Sequence, residues 1–303
     1  MPLPVRCKRL FYVVDGDILP AMTTKRAVLA RDTAPWAEAL LVDHWRRLPA
    51  AARFDQLAVD VRAGRFLMRA GARIRLPDAS DAALDREVAK AWLGHGYAWP
   101  VGTNAVNVKA MPMTDPDPYA IAARVSEALD ALHVPHVIVG SLASIAYGEP
   151  RLTRDGDLVA DLKLEQVAAF VGAVSSDFFV DEVAIREAVR TQSHFNILHR
   201  ATMFKIDVFL GARSAFGRAV VQRAIRIERD GHSIPVATAE DSLLSKLRWY
   251  RLGNAVSDQQ WRDILGVLLV QGDALDDAYL SRWAAELGVA DLLARARNDV
   301  NPT

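Results

Sequence analysis

The sequence predicts an α/β (α+β) protein: a mixed sheet with flanking helices, a helical C-terminal lobe and a small N-terminal helical module. Three observations predict it. Between residues 118 and 237, short apolar runs alternate with amphipathic segments. From 238 to 303 the apolar residues recur at three- and four-residue steps, without strand-like alternation. A stretch punctuated by Pro and Gly, 96–117, separates these parts from a helical pattern over 35–95.

Composition bounds the possibilities. The 303 residues are 51% apolar, enough for two domains of which one is minor. Lys and Arg equal Asp and Glu at 37 each, so nothing points to a strongly basic nucleic-acid binder, although a local basic cleft is compatible with a balanced total. Cys7 stands alone, which excludes an internal disulfide and a cysteine zinc cluster and suits a reducing compartment. No apolar run reaches the length of a membrane span, and Asp15 and Asp17 interrupt the stretch behind Arg6, Lys8 and Arg9. A cytoplasmic protein with no membrane partner is the expectation.

Residues 1–34 read as an irregular extension with one short strand at Leu10 to Val14. Trp36, Leu40, Leu41 and Trp45 begin the helical module; Phe54, Leu57, Val61, Phe66 and Met68 continue it after Pro49, and Ser80 caps a further helix through Trp92. Arg46, Arg47, Arg53, Arg62, Arg65, Arg69 and Arg73 read as a solvated outer face laced with Asp and Glu. The 96–117 linker sets a boundary near residue 110, and two separately folded parts are expected.

Pro118 opens an amphipathic helix with Ile121, Val125, Leu129 and Leu132, and His136 to Val139 reads as a strand. Helices are expected at Leu164 to Val174 and Val183 to Val189, and strands at Phe178 to Val180, Phe195 to Leu198 and Met203 to Leu210. Asp230-Gly231 signals a hairpin between Ala224 to Glu228 and Ser233 to Val236. Thr238, with Glu240 and Asp241 behind it, caps the first helix of the C-terminal lobe, 238–303. His133 and His136 lack a third ligand and read as ordinary structure rather than a zinc site.

The chemistry concentrates in Val137 to Leu162, which runs strand, Gly140-Ser141, short apolar helix, then Asp155 and Asp157 one residue apart. Carboxylates at i and i+2 of a strand share a face and repel, so such a pair holds a proton or binds a cation such as Mg²⁺. Gly140 and Ser141 sit where a strand feeds a helix, and free N–H groups there suit phosphate oxygens. Downstream, Lys205, Asp207 and Phe209 share one face of an apolar strand. A lone acid there needs a metal or a donor, the alternative being a salt bridge in the neighbourhood of Lys205. Asp15-Gly16-Asp17 imitates the Asp-x-Asp pattern without the Gly-Ser, and reads as a turn.

Strand, Gly-Ser, about a dozen residues and Asp-x-Asp resembles the nucleotidyltransferase fold of polymerase-beta-like enzymes. Gly148 to Asp157, GEPRLTRDGD, is similar to the small bacterial members that include the AbiE-type abortive-infection toxins. The family usually places an apolar residue between the two aspartates; Gly156 stands there, which weakens strand propensity and leaves that backbone looser. The resemblance implies Asp155, Asp157 and Asp207 as metal-binding catalytic acids for Mg²⁺ or Mn²⁺, with an NTP as substrate. It also implies Gly140, Ser141 and Lys246 at the triphosphate, Lys246 through Glu240-Asp241-x4-Lys246-Leu247. Arg151 and Arg154, next to the metal strand, are further phosphate candidates or else merely solvated loop arginines, and Arg262-Asp263 reads equally as an internal ion pair. The implied activity moves an NMP group to a hydroxyl on a protein or RNA, within a toxin–antitoxin or phage-defence system that includes a cognate protein partner. The alternative is a transferase-like fold without turnover that acts as a binding or antitoxin-like partner, which Gly156 and the N-terminal module favour.

Overall fold

The computed structural model describes residues 28, 29, 33–93 and 115–301. The expectations for Cys7, Leu10 to Val14, Asp15-Gly16-Asp17 and most of the 96–117 linker lie outside the described residues.

Among the described residues three helices come first: α1 (Pro35–Arg47), α2 (Ala50–Arg75) and α3 (Asp81–Leu93). Pro49 separates α1 from α2, and Ser80 Oγ accepts from the Ala83 N–H at 3.3 Å to start α3. Then follow α4 (Pro118–Ala131), β1 (His136–Val139), α5 (Gly140–Tyr147) and β2 (Asp155–Ala160). Asp117 caps α4 by accepting from the Tyr119 and Ala120 N–H groups. Next come α6 (Val167–Val174), β3 (Phe178–Phe179), α7 (Glu182–Thr191), β4 (His194–His199) and β5 (Lys205–Phe209). Helix α8 (Ala215–Arg223) precedes the hairpin of β6 (Ile225–Arg229) and β7 (His232–Val236). Positive φ at Asp230 (52°) and Gly231 (81°) gives that hairpin the tight turn the pair signals. Four helices close the chain: α9 (Ala239–Leu252), α10 (Asp258–Gln271), α11 (Asp277–Glu286) and α12 (Ala290–Val300).

The fold is therefore the mixed α/β architecture that the sequence predicts. Among the described residues, seven strands lie in the order β3-β4-β5-β2-β1-β7-β6. Strands β2 and β5 pair in parallel, as do β1 and β7, while the other neighbours are antiparallel. Helix α8 is unassigned in the sequence; Ser214 caps it, and Phe216 and Val220 anchor its buried stripe.

One hydrophobic core joins the sheet to helices at both ends of the described chain. Phe54, Leu57 and Val61 of α2 and Trp92 of α3 share it with Ile138, Leu158 and Val208 of the sheet and with Leu243, Leu247 and Ile264 of the C-terminal helices. The arginine face corrects one expectation. Arg53 and Arg65 point inward: Arg53 donates to the carbonyls of Ala146 and Trp45, and Arg65 to that of Thr202 while lying 4.4 Å over the Trp92 ring. Burial pushes the Arg65 guanidinium down to about 10. Arg69 and Arg73 do form the surface ion pairs anticipated, with Asp81 and Asp85. His136 is a buried structural histidine, held by Ser126 Oγ at 2.7 Å and the Val134 carbonyl at 2.9 Å.

Candidate functional site

Strands β2 and β5 alternate apolar residues on the core face with polar residues on the half-buried one. Gly156, Leu158, Ile206 and Val208 face the core, whereas Asp155, Asp157, Lys205, Asp207 and Phe209 face the other way. The parallel register sets Asp155 beside Lys205 and Asp157 beside Asp207. Three acids and one ammonium thus occupy adjacent corners on two central strands.

Gly156 corrects the looser backbone foreseen for it. The strand runs straight through it, paired with Ile206, and a Cβ there would stand 2.9 Å from Ile206 Cδ1 and 3.1 Å from Leu142 Cδ1. Neighbouring side chains fill the space that its missing side chain leaves, so glycine here tightens the layer beneath the acids.

Antiparallel pairing of β1 with β2 puts Val139 opposite Asp157 and so delivers Gly140 onto that carboxylate. Gly140 has φ +61°, and a Cβ on it would lie 2.6 Å from Asp157 Cγ. Only glycine satisfies both the left-handed backbone and the close approach. The Ser141 N–H, in the first turn of α5, donates to Asp157. The amide foreseen for phosphate therefore already serves the carboxylate.

The electrostatics follow from this crowding. Burial, then the charges of Asp155 and Asp207, push Asp157 up to about 6, against the pull of Lys246 and the Ser141 amide. Burial likewise raises Asp207, although Lys205 opposes it. Lys205 Nζ lies 2.5 Å from Asp207 Oδ2 and 3.8 Å from Asp155 Oδ2, which realises the salt bridge weighed as the alternative for Asp207. As the rotamers stand, no three His, Cys, Asp or Glu side chains among the described residues form a group that could hold one ion. The ammonium of Lys205 leans on two of the acids instead.

A second charged knot adjoins the first. Asp263 of α10 accepts from Arg151 Nε and Nη2, both at 2.6 Å, and from Lys246 Nζ at 2.7 Å. Arg151 Nη2 also donates to Ser141 Oγ at 3.2 Å. Lys246 is nearly buried, and its charge reaches Asp157. The expected Arg262–Asp263 ion pair is not what forms: Arg262 pairs with Glu149 at 2.7 Å, while Asp263 serves Arg151 and Lys246. Arg154 is exposed, and its carbonyl, rather than its guanidinium, is engaged, accepting from Trp92 Nε1 at 3.0 Å.

Of the residues singled out in the sequence, Gly140, Ser141, Asp155, Asp157 and Asp207 meet at one place, with Lys246 adjoining. Lys205 and Asp263 are the members that local pattern understates. The period-2 face shared by Lys205 and Asp207 was the signal for the first; for Asp263 the sequence pointed only to the neighbouring Arg262, because its Arg151 partner lies 112 positions away.

No protein-family model matches this chain, and no curated protein does. Among solved structures, it is similar to the crystal structure of an antigenic nucleotidyltransferase-like protein from Paracoccidioides brasiliensis, with 18% identity and a TM-score of 0.37 over 59% of this chain and 91% of that one.

Proposed function

We propose that this chain is a nucleotidyltransferase, moving an NMP group from an NTP to a hydroxyl on a protein or RNA. The observation that supports it above others is the register: Asp157 beside Asp207, with Asp155 on the same face and Gly140-Ser141 against Asp157. Three acids on one half-buried face suit a hard divalent cation, and burial first, with the charges of Asp155 and Asp207 second, raises Asp157. Asp155, Asp157 and Asp207 would hold Mg²⁺ or Mn²⁺, which would neutralise charge on the reacting phosphates. Lys205 must then leave Asp207.

In the reaction, the acceptor oxygen bonds to the α-phosphorus, the bond to the bridging oxygen breaks, and pyrophosphate departs. Asp207 receives the acceptor proton. Arg151, Lys246 and the first turn of α5 contribute positive potential to the incoming triphosphate. Positioning and electrostatics carry most of the rate.

The Lys205–Asp207 pair favours a second reading, a binding or antitoxin-like partner protein without turnover, because an internal ammonium can neutralise the acids permanently. Incubation with α-labelled NTPs and Mg²⁺ over total RNA and protein separates the two. The transferase reading expects label from wild type and at least roughly a hundredfold less from Asp155→Ala, a loss on the scale of removing a key electrostatic group. Label unchanged in Asp155→Ala, or absent from wild type and from Lys205→Met alike, leaves the binding reading.

A further inference from the structure

Beyond the acids, the same sheet face continues into three rings. Phe209 follows Asp207 by two positions on β5, and the register places His194 of β4 opposite it. The His194 and Phe209 rings stack, with centroids 5.5 Å apart and planes 29° from parallel. Trp249 of α9 adds a third ring 5.9 Å from Phe209. Trp249 is 53% exposed, although Leu247 and Tyr250 on the same helix are buried.

Lys246, whose charge reaches Asp157, precedes Trp249 by three residues, a rise of about 4.5 Å. Asp207 precedes Phe209 by two, about 6.6 Å. On each element a residue of the charged site is followed, one step along, by a ring of the cluster, over a distance comparable with the ribose that separates a base from its α-phosphate. A lone exposed apolar side chain needs no explanation, but a contiguous ring cluster that extends a charged face does.

We infer that His194, Phe209 and Trp249 form a stacking seat for the base of a nucleotide whose phosphates lie at the acids. This rests on the nucleotidyltransferase reading and adds the base-binding residues to it. Stacking on such rings tolerates any base, because every base presents a π-face. The seat therefore supplies affinity, and choice among bases falls to groups at its rim.

The test measures dissociation constants for the four NTPs, their nucleosides and inorganic tripolyphosphate, by calorimetry. Wild type, Trp249→Ala, Trp249→Phe and Asp155→Ala are compared, with thermal unfolding as the folding control. Trp249→Ala is expected to weaken NTPs and nucleosides by about tenfold or more and to leave tripolyphosphate unchanged, with Trp249→Phe close to wild type. Equal NTP affinity in wild type and Trp249→Ala, or nucleosides that do not bind wild type, overturns the seat. The transferase reading stands or falls separately. Tripolyphosphate that needs Asp155 and Mg²⁺ while Trp249→Ala changes nothing removes only the seat. Nucleoside binding that needs Trp249, in a protein that never transfers label, keeps the seat and removes the transfer.

Discussion

At the scale of single residues, Gly140 is the position with least freedom. Its φ of +61° and the Asp157 carboxylate where a Cβ would stand impose separate demands. Gly140→Ala is expected to lose on the order of 2–4 kcal/mol, the sum of a left-handed backbone penalty and an overpacked contact. Thermal unfolding measures it, and a melting temperature within a degree of wild type would contradict the geometry. This residue was legible in the sequence as a strand-to-helix turn. Lys205 was legible only in part: its face followed from period 2, but not the choice of Asp207 and Asp155 as its partners, which depends on the register between strands.

At the scale of elements, Asp263 ties together three pieces that sequence keeps apart. It holds the segment before β2 through Arg151, helix α9 through Lys246 and, with Gln259 Nε2 donating at 3.1 Å, the first turns of its own helix. Asp263→Ala would leave two cations unpaired in a largely buried setting and is expected to cost about 3–5 kcal/mol. Gln259→Ala should cost under about 1 kcal/mol. Urea titration of both variants checks the contrast, and similar losses would mean that the knot is only a surface network. Helix positions were largely readable from periodicity and caps, Thr238 and Asp117 among them. The inward turn of Arg53 and Arg65 was not. A long side chain on an amphipathic helix reads as solvated unless one knows that the carbonyls of Ala146 and Thr202 lie beneath it.

At the scale of the whole molecule, the burial of Asp157 beside two other acids makes its ionised form oppose folding. Asp157 is raised from 3.8 to about 6, so the folded chain binds its proton more tightly than the unfolded chain. Its favourable share of stability is complete below about pH 4 and lost as pH rises through about 6. In chelator, Asp157→Asn should therefore gain stability over wild type at pH 8 and show little gain at pH 4, as urea midpoints would reveal. A gain that does not vary with pH would show that Asp157 is not the strained group. Mg²⁺ is expected to raise the wild-type midpoint at pH 8 and to have less effect on the variant.

The in-register parallel pairing of β2 with β5 has one more effect. A slip of a single residue would turn Asp157 toward Leu142 and Phe204 and expel Leu158 into water, so a misaligned sheet could neither bury its oil nor gather its charges. Folding thus proofreads charge placement: a chain that has reached its interior packing has, by the same alignment, already assembled its acid face.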